Sequence, residues 1–385
     1  MPGPAGDPFV EDALARYVAT PSVNPAFTEE PSGEAALAAL VATDLREAGL
    51  EVSIVSVGPG RDSVVGRLRG RGGGRSLMLN AHLDTVGPGG MEQPFEPRRE
   101  GRRLHGRGAY DMKAGLASCV AAARALAAGP PLAGDVVVTA VADEEHASLG
   151  MQAVLETVRT DGAVVTEPTE LEVCVAHKGF LWLEVVTHGR AAHGSRFREG
   201  VDANLRMGRV LSALDPLEAS LRERSPHPLL GPPSMHAGTL HGGAGLSVYA
   251  DRCVLGLERR TVPGERTDAI VAELQAILDR LAVEDPDFRA DVRVLLERAP
   301  FEAQADSSVV AALDASAAAV LAGPRPRQGG SYWMDAAFIQ AAGIDTVVFG
   351  PAGTGAHADI EWVDLDSVQR HCRVLQDTAR AYCDG

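Results

Sequence analysis

Aromatic side chains are scarce in this chain of 385 residues, at 4% of the total. Its core must therefore be built from Ala, Val and Leu, and a hydrophobic share of 45% leaves enough of them for an ordinary globular protein. No run approaches the ~18 consecutive apolar residues of a membrane span, so none is expected. The opening stretch MPGPAGDPFVEDALARYVA lacks a basic segment followed by an apolar one, and no secretory leader is expected there. Cysteines are few and unpatterned: Cys119, Cys174, Cys253, Cys372 and Cys383 are odd in number, scattered, and form no CxxC pair. That favours buried thiols in a reducing cytoplasm over a disulfide framework. Positive charge is also short, with a formal net charge of −16. Phosphate backbones and anionic lipid both need a basic face, so neither nucleic acid nor a membrane surface is expected as a partner. Absence of a GxSxG elbow or a Cys-His pattern leaves a covalent acyl-enzyme without support.

What is present is an alternation of apolar strands and helices. Residues 8–20 and 34–49 carry helical periodicity, and strand-like segments follow at 51–57, 63–68 and 76–84. A polar stretch, 87–110, reads as a long loop. The Ala-rich 112–128 reads as a helix, DVVVTAV (135–141) as a buried strand, GMQAVLETV as a helix and 162–168 as another buried strand. Continuous apolar strands between helices indicate an α/β sheet covered on both faces. After VAHKGF (175–180) the texture changes to alternating apolar and polar residues. Strand 181–189, helix 201–214, strands 235–241 and 252–258, helix 266–282 and strand 289–296 follow the β-α-β-β-α-β order of a small α+β, ferredoxin-like domain. From about 300 the α/β texture returns. The expected division is therefore 1–178 with 297–385 as one domain, and 179–296 as a second inserted into it.

Polar residues of metal-binding type recur where the apolar strands end. NAHLDTV carries His82 and Asp84, GRGAYDMKAG carries Asp111, ADEEH carries Glu144 and Glu145, VVTEPT carries Glu167, and GTGAHADIE carries His357. In open α/β sheets ligands bind beyond the carboxyl ends of the strands, so two imidazoles and five carboxylates are expected at one rim. Uncompensated, those carboxylates would repel one another and hold their protons more tightly. Bound divalent metal resolves the conflict. Imidazole plus carboxylate, with no cysteine, suits Zn2+, or Co2+ or Mn2+ in its place, and a carboxylate-rich set suits two ions sharing a bridge.

The motifs AHLDTV, GRGAYDMKAGLA, DEE, TEPT and the late AHADIE, in this order and across the whole chain, resemble the di-zinc aminoacylase and carboxypeptidase family, which includes acetylornithine deacetylase and succinyl-diaminopimelate desuccinylase. The resemblance implies a zinc-peptidase-like catalytic domain with a mixed, mainly parallel sheet, and makes the insert a lid and dimerisation domain. It implies that Asp111 bridges two Zn2+ ions, with His82 and Glu167 completing one site and Glu145 and His357 the other. Asp84 would accept a hydrogen bond from the far nitrogen of His82. A cis peptide would follow Asp111. Glu144 would be the general base for a metal-bound hydroxide attacking the amide of an N-acyl amino acid. Dipeptidase or carboxypeptidase action by the same residues stays open. Asp143 receives no role beyond a solvated or capping residue.

The same resemblance extends to the insert. HGRAAHGSRFREG matches a lid segment whose histidine, here His193, would stabilise the oxyanion in the partner subunit's site, which makes a homodimer through the lid part of catalysis. Arg260 in LERRTVPGE would grip a substrate carboxylate. Ser247 stands where the family often has Asn. GGSYWMDAAF (329–338), with Tyr332, Trp333 and Asp335, is a further candidate wall. The remaining histidines match no ligand position, and His177 with Lys178 falls at the hinge between domains.

Overall fold

A computed structural model describes residues 7–29 and 33–385. The chain forms two compact units. One is built from residues up to Val175 with Ala303–Gln328 and Met334–Gly385, the other from Ala176–Glu302 with Gly329–Trp333. Residues 176–178, 297–302 and 329–333, placed in the larger domain from sequence, thus cluster with the smaller one. Only Lys178 separates the strands Val173–His177 and Gly179–His188, so no polar loop marks the passage.

The larger unit is organised on a mixed sheet. In spatial order its strands are Glu51–Ser56, Asp62–Leu68, Val136–Val141, Leu77–His82, Gly162–Val165, Asp345–Val348 and Val173–His177. The four from Val136–Val141 to Asp345–Val348 run parallel, and the flanking pairs are antiparallel. Strands Leu77–His82, Val136–Val141 and Gly162–Val165 are buried along their whole length, as parallel strands covered on both faces must be. Their register is even: His82 lies opposite Val141, Asn80 opposite Val165, and Val165 opposite Val348. Whatever follows these residues leaves the sheet along one rim.

Helices Pro8–Val18, Lys113–Ala127 and Leu365–Cys383 pack against one another, and Lys113–Ala127 also lies on Leu77–His82 and Val136–Val141. Leu149–Thr157 and Ala336–Ala341 form a second packed pair. The Ala-rich composition of Lys113–Ala127 lets its first turn come very close to the sheet. A Cβ at Gly115 would stand 2.4 Å from the Thr166 carbonyl oxygen, so glycine is required there. This approach carries Asp111, just before the helix, towards Glu167, just after the strand.

The polar stretch 87–110 is not wholly a loop. Arg98–Glu100 and Arg103–His105 form short strands in a second sheet with Trp362–Asp364 and Gly353–Thr354. These three-residue strands have no apolar alternation to announce them, because they are made by pairing with a distant segment, Leu104 opposite Val363. The small sheet joins the segment leading to Asp111 to the segment carrying His357.

The smaller unit has the expected β-α-β-β-α-β order. Its antiparallel sheet runs Ser234–Gly242, Arg252–Thr261, Gly179–His188, Arg289–Arg298, the ferredoxin-like arrangement, with helices Ala203–Glu223 and Thr267–Glu284. The helix read over 201–214 continues through Pro216 to Glu223. Proline removes one backbone donor, but Val210, Leu214 and Leu221 stay buried on either side of it, and packing keeps the helix intact.

Candidate metal centre

The rim of the larger unit brings together His82, Asp111, Glu144, Glu145, Glu167 and His357. His82, the last residue of its strand, is buried, and its Nε2 stands 3.2 Å from Asp111 Oδ1 and 3.6 Å from Glu167 Oε1. The other oxygen of Asp111, Oδ2, is 3.4 Å from His357 Nε2, which also lies 2.9 Å from Glu145 Oε2. One carboxylate thus faces two ways. Nitrogen and oxygen atoms of His82, Asp111 and Glu145 all lie within 4.8 Å of one another, as do those of His82, Glu144 and Glu167. The Asp111–Met112 peptide is cis, as the resemblance implied.

Asp84 does not act on His82 in the expected way. The ring Nδ1 is 2.9 Å from the Asp84 backbone carbonyl and 3.7 Å from its carboxylate. A carbonyl only accepts, so Nδ1 carries the hydrogen, and Nε2, facing the carboxylates, is the atom left to bind a cation. The Asp84 carboxylate instead accepts the backbone N–H groups of Glu144 and Glu145, each at 3.1 Å, and Asn24 Nδ2 at 2.8 Å. Asp84 therefore sets the turn that presents the two adjacent glutamates.

Asp143 is not solvated. It is buried, with φ of 71°, and its carboxylate meets Arg61 at 2.6 Å and Asn24 at 3.0 Å. Arg61 also pairs with the buried Glu34 at 2.7 Å. Asp143 additionally accepts the Leu149 N–H at 3.3 Å, capping the next helix. Asn24, Glu34 and Arg61 were not anticipated, since they lie far along the chain from the carboxylates they hold. Arg107 was missed as well, and Glu361, the last residue of the AHADIE motif, has no role assigned from sequence. Both are 2% exposed, and they pair at 2.7 Å directly behind the Asp111 segment.

Like charges in a buried space set the electrostatics. Burial, then the Glu167 carboxylate, holds Glu144 well above the ordinary carboxylate range. Burial likewise raises Glu167 and Glu145, with Asp111 adding to both. Burial opposes a charge on His82, but Glu167, Asp111, Glu144 and Asp84 outweigh it and hold the ring well above its usual value. Hydrogen bonds to Asp111 and Glu145 push His357 up to about 10. Burial would raise Asp111, yet His357 and His82 pull it below the usual range. The rim is thus a nest of acceptors that draws in positive charge.

Candidates in the smaller unit are more exposed. His193 Nδ1 is 2.8 Å from Ser195 Oγ, and the residue bridges to Val248. The Gly194 N–H donates to the Ser247 carbonyl at 2.7 Å, so the His193 and Ser247 segments lie side by side. Arg260 donates to Glu258 at 2.6 Å, with its guanidinium 5.3 Å from the centre of the Phe180 ring. Trp333 donates to the Ala299 carbonyl at 3.1 Å and meets the edge of the buried His177 ring, while Tyr332 is exposed. Asp335, in the larger unit, is buried and close enough to help raise Glu144 and Glu167.

Comparison with known proteins agrees with this geometry. The profile of Peptidase family M20/M25/M40 matches residues 78–381. The acetylornithine deacetylase of Myxococcus xanthus is 29% identical over 82% of this chain and 83% of its own length. That of Photorhabdus laumondii is 28% identical over 98% of this chain and 97% of its own. Among solved structures, aminopeptidase PepT from Bacillus cereus superposes with a TM-score of 0.79 at 19% identity, covering 97% of this chain and 98% of that one. The Bacillus subtilis YXEP protein, described as a dinuclear metal binding peptidase, gives a TM-score of 0.74 at 16% identity over 96% of each chain. This chain belongs to peptidase family M20/M25/M40 and is a hydrolase of the metallo-amidohydrolase class.

Proposed function

We propose that the rim holds two divalent cations, zinc first and cobalt or manganese as substitutes, and that the enzyme cleaves the amide bond of an N-acyl amino acid. The observation that carries this reading is the divided carboxylate of Asp111, one oxygen towards His82 and the other towards His357. His82 and Glu167 would hold one ion, Glu145 and His357 the other, and Asp111 both. The donor set fits: two imidazoles and three carboxylates without a thiol, with the free ring nitrogen of His82 aimed at the carboxylates. Bound there, the ions supply Lewis acidity, polarising the scissile carbonyl and making an attacking water more acidic.

Glu144 takes the proton from that water and passes it to the leaving amine. Its buried surroundings and its position beside Glu167 favour such exchange. Glu144 also lies close enough to His82 and Glu167 to compete as a ligand, so metal content in a Glu144 variant distinguishes base from ligand. The smaller unit, expected over 179–296 and clustering as Ala176–Glu302 with Gly329–Trp333, serves as lid and dimerisation domain. His193, its ring braced by Ser195, stabilises the oxyanion in the site of a partner copy. Arg260 grips the substrate carboxylate, with Ser247 beside the His193 segment as a further contact. A homodimer through this unit is supported by its outer strand Ser234–Gly242, and by exposed Leu205, Leu240, Leu246 and Val248. Cytoplasmic residence is supported by five buried free cysteines, and no helix among the described residues is long and apolar enough to cross a membrane.

The N-acyl substrate class is supported by relatives named acetylornithine deacetylase that match nearly end to end. A dipeptidase or carboxypeptidase reading is favoured by a carboxypeptidase and a dipeptidase among the structures of the same fold. Zinc-reconstituted protein assayed on N-acetyl, N-succinyl and N-carbamoyl amino acids beside dipeptides, with chelator controls, decides between them. Cleavage of the acyl amino acids is expected. Cleavage of dipeptides alone would move the chain to the peptidase branch.

A further inference from the structure

Behind the rim lies a buried ion pair that no step above uses. Glu361 accepts the backbone N–H groups of Tyr110 at 2.9 Å and Asp111 at 3.1 Å on one oxygen. Its other oxygen accepts the Gly108 N–H at 2.9 Å and Arg107 Nη1 at 2.7 Å. A second arm of Arg107, Nη2, donates to the carbonyl of Ala358 at 2.9 Å, the residue after His357. Neither side chain is more than 2% exposed. Two oxygens with two lone pairs each therefore meet four donors, and the acceptor capacity of a carboxylate is filled. Such full satisfaction is what makes a buried charge tolerable.

We propose that Glu361, through Arg107, is a positioning residue that fixes the backbone of 108–111 against the segment carrying His357, and so sets where the two oxygens of Asp111 fall. Asp111 and His357 come from opposite ends of the sequence. The small sheet brings their segments together, with Trp362 opposite His105, and the Gly106 N–H reaches the Glu361 carbonyl at 3.3 Å just beyond that pairing. The Arg107–Glu361 pair ties down both: three amides on one side, the Ala358 carbonyl on the other. The residue type is specific. Glutamine would turn amide hydrogens towards donors already present, and aspartate is one methylene too short to reach all of them. Partners that hold metal ligands in place typically contribute about 10–100-fold to metal affinity.

This inference rests on the two-metal reading, and the test separates the two. Co2+ is titrated into chelator-stripped native protein, Glu361→Gln and Asp111→Asn, following the visible absorption of the bound ion, while circular dichroism checks the fold. Glu361→Gln is expected to bind Co2+ about 10–100-fold more weakly, with an altered spectrum and faster amide exchange at Tyr110 and Asp111. A merely structural role would lower the melting temperature and leave affinity and spectrum of the folded fraction unchanged. That result, with Asp111→Asn losing Co2+, would overturn the positioning role alone. Unchanged Co2+ binding in both variants would overturn the two-metal reading and this inference with it. Should Glu361→Gln not fold, Glu361→Asp takes its place. If neither folds with Co2+ present, the pair is a folding element and the proposal is wrong.

Discussion

The rim of the larger unit and the loops of the smaller one hold their candidate residues in opposite ways. His82, Glu167 and Asp84 are buried at the ends of fully buried strands, and Asp84 alone accepts three hydrogen bonds that shape the Glu144–Glu145 turn. His193 and Ser247 sit on exposed loops that mainly steady each other, with Phe197, Leu246 and Val248 exposed nearby in sequence. A site that must keep several carboxylates in one small space needs a rigid frame, because every displacement changes their mutual repulsion. Loops that act on a substrate, or on a partner copy, need freedom to approach it. His82 and Glu167 lie at or just after strand ends, while His193 and Ser247 lie on exposed loops.

The contrast can be broken most sharply at Glu144. Glu144→Ala is expected to lower turnover by about 10²–10⁴-fold with metal content unchanged. Loss of metal on elemental analysis would make Glu144 part of the rigid ligand set instead. His193→Ala should lower kcat by about 10²–10³-fold, again with metal retained. Mixed dimers of the two dead variants should regain activity, and verified heterodimers without recovery would remove the role across subunits. On the frame side, Asn24→Ala removes one of the donors that Asp84 and Asp143 each hold, leaving Asp84 with the Glu144 and Glu145 amides and Asp143 with Arg61. Urea unfolding should show a loss of about 1–3 kcal/mol. An unchanged midpoint would mean that the Asn24 bridge contributes little to the frame.

The smallest effect expected is a pH dependence away from the rim. His371 is fully buried, its Nε2–H donating to the Phe349 carbonyl at 3.0 Å, and burial lowers its pKa from 6.5 to about 3. The folded state therefore binds this proton less readily than the unfolded chain. Its contribution is fully present above pH ~6.5 and is lost as pH falls towards about 3. His371→Gln, which keeps a donor, should flatten the decline in melting temperature between pH 7 and 4. Equal slopes in both proteins would assign acid sensitivity to other groups.

Much of this frame is legible in the sequence for a physical reason. A parallel strand covered on both faces must be continuously apolar, so DVVVTAV and SLMLNAHLD announce both the strands and the points at which they end. His82, Glu144, Glu145 and Glu167 are visible because they interrupt such runs. Asp111 and His357 read as strand-end residues as well, but only the short strands Arg103–His105 and Gly353–Thr354 come just before them. Asn24, Glu34, Arg61 and Arg107 leave no trace of this kind: each acts through a polar contact to a distant segment, and such contacts have no period. Asp143 reads as a solvated or capping residue because its neighbours in sequence are charged; it does accept the Leu149 N–H, but it is buried against Arg61. The short strands at 98–100 and 103–105 were hidden for the same reason.

The central claim, that one rim holds two cations sharing Asp111 and uses them to cleave an amide, is tested most directly by measuring metal content and hydrolysis on the same sample as Zn2+ is added to chelator-stripped protein. Activity on an N-acyl amino acid should be absent without metal and reach its plateau at two ions per chain, and Asp111→Asn should hold fewer than two and remain inactive. Full activity in metal-free protein, or two tightly held ions in Asp111→Asn, would contradict it.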